Sequence, residues 1–239
     1  MPVLSFFIPS ISIFRMNPTK ILYSDEEIYV INKPAGLAVQ GGKRITHSLD
    51  IDFAKEVGKK VYLVHRLDKE TCGLMIVAKN PLAAKKWTKL ISSKQVKKEY
   101  FAICAGHLRQ KKGSITEDLE QHGKEKSAVT YYQVDKEWTV DYSDGETSTE
   151  TINMTNIRLQ LETGRMHQIR IHLSKQNCPI AGDDIHGNFK LNKKLKKVLK
   201  IKNLMLCSKK LSLPLNNEIK TFEIPLPPHM DFESYYLDK

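Results

Sequence analysis

Between residues 61 and 79 the chain reads VYLVHRLDKETCGLMIVAK, two apolar runs that enclose six polar or charged side chains. The runs at 61–64 and 74–78 are short, continuous and rich in branched residues, so they predict two buried strands. A loop joining two buried strands starts beside the core, where an unpaired charge is costly to desolvate. His65, Arg66, Asp68, Lys69, Glu70 and Thr71 are therefore either mutually paired or held there for chemistry. Asp68, flanked by Arg66 and Lys69, is the candidate reactive group.

The flanking segments supply the frame. A strand at 27–32 runs into the turn Lys33-Pro34-Ala35-Gly36. Leu49, Phe53, Ala54 and Val57 fit one face of a short helix ending at Gly58, and Asn80-Pro81 opens a second helix reaching about residue 91. Strands are predicted at 98–106, 127–134 and 157–162, with the polar DYSDGETSTET at 141–151 as an exposed hairpin tip or loop. Met166, Ile169 and Leu173 fall at i, i+3 and i+7, predicting a helix with Thr163 as N-cap and an end near Asn177. That spacing sets His167 and Arg170 one turn apart on a neighbouring face.

Residues 190–202 hold seven lysines beside an apolar stripe of Leu191, Leu195, Val198 and Leu199. They read as a solvated amphipathic helix or, more sharply, as a helix gripping phosphates. The elements alternate without a βαβ rhythm and imply hairpins. The expected class is α+β, a mixed, largely antiparallel sheet flanked by helices and loops. Without an internal repeat or linker, one domain over 17–239 is the economical division, with residues 1–16 set apart as an N-terminal extension and Met16 as the expected natural start, residues 1–15 lying upstream of it.

Composition narrows the partners. A formal charge of +11 favours a polyanion, since each neutralised phosphate releases counterions. The four cysteines form no C-x-x-C pair, which argues against a zinc ribbon or disulfide framework and fits a reducing cytoplasm. No apolar run approaches the roughly 20 residues that span a bilayer. The opening MPVLSFFIPSISIF has no basic residue before its apolar part and is broken by Pro9, so it is a poor signal peptide. A monomer without an obligate protein partner is expected.

HRLDKETCG at 65–73 closely resembles the His-Arg-Leu-Asp-x-x-Thr-Ser-Gly signature of the RluA family of RNA pseudouridine synthases. The resemblance runs from about Ile21 to Pro228. It includes INKPAGLAV at 31–39, KKEYFAICAG at 97–106, LETGRMHQIRIHL at 161–173 and CPIAGDDIHG at 178–187, and the segment from Asn203 to Pro214 is similar to the family's closing strand. Cys72, Met166, Cys207 and His186 depart from the family's usual serine, threonine, histidine and tyrosine. Fewer than 30 residues precede the first motif, too few for the small RNA-binding domain that many members carry. That points to the short members, which act on ribosomal or transfer RNA.

The resemblance implies a reaction that detaches uracil from ribose, turns it and rejoins it through carbon 5, with no metal, nucleotide or redox cofactor. Asp68 aligns with the family's aspartate, as nucleophile or as stabiliser of developing charge. Arg170 aligns with the arginine paired to it, and Tyr100 with the tyrosine that stacks on the base and assists removal of the carbon-5 proton. Arg66 is the candidate for contacting the flipped nucleotide. Arg165, His167 and Gln168, at a helix start, are placed to meet phosphates. His65 and His172 read equally as core or as RNA-contacting residues. Three alternatives compete: a catalytically silent RNA-binding or ribosome-assembly factor on the same fold, a Ser-His-Asp hydrolase, and a metal hydrolase. The Ser-His-Asp reading lacks a G-x-S-x-G elbow, and His167 and His172 lie five apart, a poor zinc pair.

Overall fold

The computed structural model describes residues 19–42, 46–121, 123–143, 145 and 149–232. The extension expected at 1–16 lies outside them. In chain order the elements are β1 (Lys20–Ser24), β2 (Ile28–Lys33), α1 (Leu49–Glu56), β3 (Tyr62–Leu63), β4 (Cys72–Ala78), α2 (Pro81–Ser92) and β5 (Lys97–Ala105). Then follow β6 (Lys112–Thr116), β7 (Leu119–Gln121), β8 (Lys124–Lys126), β9 (Val129–Ser143), β10 (Thr149–Leu161), α3 (Gln168–Lys175), α4 (Phe189–Val198), β11 (Leu206–Leu215) and β12 (Glu218–Glu223). The main sheet runs β1-β2-β4-β11-β5-β10-β9-β6, with β3 on β4 and β12 on β11. The β4–β11 pair is parallel and the other pairings are antiparallel. The class is α+β, as expected.

Every residue of β4 is buried, as its unbroken apolar run predicts. Its partner across the sheet is set by a glycine. Gly73 has φ +111°, and a Cβ there would lie 2.3 Å from the Ser208 carbonyl oxygen of β11. Only a residue without a side chain lets the two strands meet. Ser208 Oγ then donates to the Leu74 carbonyl at 3.0 Å. Because β11 sits between β4 and β5, pairing Cys207 with Cys72 and Ser208 with Tyr100, the loop before β4 and the first half of β5 share one end of the sheet. That juxtaposition positions the site.

Several boundaries differ from expectation. β3 is two residues long rather than four, because Val61 and Val64 turn inward while Tyr62 and Leu63 are half-buried. β9 and β10 extend far beyond 127–134 and 157–162, into the polar segment read as a loop, and pair up to Ser143–Thr149. The alternation that carries the strands on is sparse, Trp138, Val140 and Tyr142 in β9 and Ile152 and Met154 in β10, and the polar residues between them make the segment read as a loop. The tip itself, 144 and 146–148, lies outside the described residues. α2 begins as expected, with Asn80 Oδ1 accepting from Ala83 N at 2.8 Å and Pro81 in the first turn. α4 is amphipathic, with Leu195 fully buried and Lys194 paired to Glu150 of the β9–β10 ribbon. Among the described residues no helix is long and apolar enough to cross a membrane.

Candidate active site

Of the residues singled out from the sequence, Asp68, Tyr100, Arg170, His65, Arg66, Arg165, His167 and Gln168 line one cleft of about 390 Å³, and His172 does not. They come from the β3–β4 loop, the first half of β5, and α3 with the turn that leads into it. The loop is anchored from behind by Lys33, which is fully buried. Its ammonium donates to the carbonyls of Leu37 at 2.8 Å, Pro34 at 2.9 Å and Lys69 at 3.1 Å. Burial lowers its pKa to about 8, against the partly offsetting charges of Cys72, Glu70 and Asp68. The Lys33-Pro34 turn thus holds the Asp68 loop by its backbone.

Asp68 is part-exposed at the cleft, its side chain 18% accessible. Arg170 Nη1 approaches Asp68 Oδ2 at 3.4 Å, and His167 Nε2 lies 3.8 Å from Asp68 Oδ1. The stronger partner of Arg170 is Asp183, whose carboxylate accepts from Nε at 2.8 Å and Nη2 at 2.7 Å in a two-pronged, buried pair. Asp183 Oδ1 also accepts the backbone N–H groups of Ile185 and His186. Burial alone would raise the pKa of Asp183, but the Arg170 and backbone hydrogen bonds outweigh it and leave the carboxyl below its usual range. In the sequence Asp183 stands out only as part of a turn motif. The sequence trace of this site is the glycine before it: Gly182 has φ +73° and packs against the Asn203 carbonyl, where a Cβ would come within 2.1 Å, so a side chain does not fit there.

Tyr100 pairs with Leu159 of β10 and Ser208 of β11, in the middle of the sheet. Burial, then the neighbouring Asp68 charge, pushes its hydroxyl pKa up, so it stays a phenol. Lys98, two residues earlier on the same face, also lines the cleft, and burial lowers the pKa of its amine. It too is visible in the sequence only within a motif. Arg66 is exposed on the rim, and Arg165 Nε donates to the Ser127 carbonyl at 3.1 Å.

Two expectations, a phosphate contact at Gln168 and an N-cap at Thr163, are corrected, and two readings left open, at His65 and His172, gain a structural partner. Gln168, read as a phosphate contact, is 2% exposed with its amide fully engaged. Its nitrogen donates to Val129 O and Thr130 Oγ1, and its oxygen accepts from Thr163 Oγ1 and Arg165 N. It braces the turn, and Thr163 is therefore not the N-cap of α3. His167 takes that place, in the left-handed region at φ 55°. His65, read as core or RNA-contacting, accepts the Ile76 N–H at Nε2 over 3.0 Å. β3 ends one residue too early to supply that acceptor, and the ring replaces it. Burial, then the charge of Lys98, lowers the His65 pKa to about 3, consistent with a neutral acceptor. His172, left open in the sequence, is fully buried with Nε2 3.3 Å from the Glu117 carbonyl.

Residues 27–175 match the RNA pseudouridylate synthase family. The chain belongs to that family. As a synthase of this kind it is an isomerase acting on uridine in RNA. It is similar to the ribosomal large subunit pseudouridine synthase C of Rickettsia felis, 36% identical over 92% of this chain and 69% of the relative. It is also similar to the ribosomal large subunit pseudouridine synthase D of Yersinia pestis, 34% identical over 71% of this chain and 53% of the relative. Among solved structures, human RNA pseudouridylate synthase domain containing 4 superposes with a TM-score of 0.68 at 29% identity, over 91% of this chain and 92% of that one. The resemblance to the RluA family read from the motifs agrees with these relatives.

Proposed function

We propose that this synthase isomerises one or a few uridines of ribosomal RNA to pseudouridine, with Asp68 as the reacting carboxylate. The observation that carries the reading is the carboxylate itself. It opens to a cleft of about 390 Å³ and is approached from the protein side by Arg170, itself fixed by Asp183. The similar proteins of Rickettsia felis and Yersinia pestis are named as synthases of the ribosomal large subunit, and the +11 charge suits that polyanion.

The chemistry breaks the bond between uracil N1 and ribose C1′, forms one between C5 and C1′, releases the C5 proton to solvent and leaves N1 protonated. A target base inside folded RNA must first leave its stack, at a cost of a few kcal/mol. Exposed Arg66, close to Asp68 in the same loop, is poised to meet the flipped nucleotide or the space it leaves. Asp68 serves the C1′ centre, as nucleophile or as counter-charge to the cation that develops there. Tyr100, kept protonated, offers a flat ring wall and a hydroxyl rather than a phenolate. Transfer RNA is the other substrate for which the same cleft is suited.

Mapping pseudouridines after incubating unmodified ribosomal RNA with the purified chain tests the substrate. One or a few new sites are expected. Modification of transfer RNA with none in ribosomal RNA would reassign the substrate, and none in either would leave a silent RNA-binding protein.

A further inference from the structure

A pair of histidines stands beside Asp68, unused by the chemistry above. His167 enters the cleft from the left-handed conformation, sparsely occupied by residues with a side chain, at φ 55° and ψ 20°. Its Nδ1 lies 2.8 Å from His186 Nε2, with the two rings edge-on at 76°. His186 is itself held at both backbone ends, its N–H by Asp183 Oδ1 at 2.9 Å and its carbonyl by Ser174 Oγ at 2.5 Å. On its far side His167 turns Nε2 toward Asp68 Oδ1, 3.8 Å away. Asp68, His167 and His186 therefore form a file, and Asp183 ties its outer end to the same buried pair that fixes Arg170.

A neutral imidazole carries one N–H, and its two nitrogens cannot both donate. A lone pair on His167 Nε2 would face the lone pairs of the Asp68 carboxylate and be repelled, whereas an N–H there is attracted. His167 then has no proton at Nδ1, so the 2.8 Å contact needs its proton from His186. We propose that His186 is a positioning residue: its Nε2–H, donated to His167 Nδ1, selects the tautomer that turns an N–H onto Asp68 and fixes the carboxylate against the substrate ribose.

The surroundings favour the neutral pair. Burial lowers the pKa of both rings, and the charges facing them are Asp68, Arg170, Asp183 and, for His167, Arg66. At acid pH a further proton turns the file into an imidazolium against Asp68, which holds its charge back from the ribose.

The inference rests on the proposed reaction, so its test has one arm that needs no turnover. In the full-length chain, long-range proton–nitrogen correlation spectra report which nitrogen of each histidine is protonated. An Nε2–H His167 is expected in the wild type and in H186Q, whose amide keeps a donor in place, and a shift toward Nδ1–H is expected in H186L. In turnover on RNA, H186L should lose about tenfold in kcat with KM within about twofold, and H186Q should recover most of it. A wild-type His167 protonated at Nδ1 overturns the inference. So does H186L turning over at the wild-type rate, or H186Q failing as badly as H186L. Absence of wild-type turnover together with an Nε2–H His167 would instead support the hydrogen-bond file and overturn the reaction reading.

Discussion

Arg170 commits Nε and Nη2 to Asp183 and has Nη1 left for Asp68. Asp183 is thus the group that aims the guanidinium, and its loss acts on folding and rate together. Asp183→Ala leaves a charge that is 4% exposed without its main partner, a change that typically costs about 3–5 kcal/mol. The urea midpoint should fall accordingly, while Asp68→Asn, at a part-exposed position, should stay within about 1 kcal/mol of the parent. A midpoint for Asp183→Ala equal to the parent's would contradict the buried pair. Tyr100→Phe separates ring from hydroxyl. We expect kcat to fall roughly 10²-fold or more with RNA affinity little changed, because the protonated hydroxyl can donate or relay a proton at the reacting base though it cannot accept one as a phenolate. Full activity would assign Tyr100 to stacking alone.

The elements are unequally legible in the sequence. β4 and β2 announce themselves by unbroken apolar runs, and α1 and α2 by their stripes and, in α2, the Asn80-Pro81 start. The β9–β10 ribbon does so only faintly, since its alternating Trp138, Val140, Tyr142, Ile152 and Met154 are scattered through a polar, charged stretch that reads as a loop. α3 starts later than a Thr163 cap predicts, because Gln168 satisfies the turn that Thr163 would otherwise cap. For the same reason the motif residues gather at the cleft as expected, but their division into facing and bracing side chains is not readable: spacing gives a face, not a hydrogen-bond partner. Gly73 carries an element-scale prediction. Gly73→Ala would force β4 away from Ser208 and should lower stability by more than about 2 kcal/mol. For α4, exposed Lys190, Lys193 and Lys196 are expected to grip phosphates. Replacing all three with alanine should flatten the salt dependence of RNA affinity by roughly 0.7 in slope for each phosphate no longer neutralised. An unchanged slope assigns the helix to a merely solvated face.

Across the molecule five buried or half-buried histidines act in one direction. His65, at about 3, and His167, His172, His186 and His229 all have pKa values lowered by burial. Below about pH 6.5 the unfolded chain takes up protons that the folded chain refuses. Stability from these groups is therefore complete above that pH and is lost as pH falls toward their folded values, at up to about 1.4 kcal/mol per pH unit for each proton. Asp183, depressed by Arg170, adds a further loss as pH falls below the ordinary carboxylate range. A urea midpoint that is constant from pH 7 to pH 5 would contradict this. In the proposed reading the +11 charge draws RNA in while the single carboxylate of Asp68 does the chemistry. Tritium release from RNA labelled at uridine C5, run in parallel with RNA affinity for the parent and for Asp68→Asn, measures that division of labour. Release by the parent and none by the variant is expected, at affinities within about twofold; release by Asp68→Asn at the parent's rate would remove the carboxylate from the reaction.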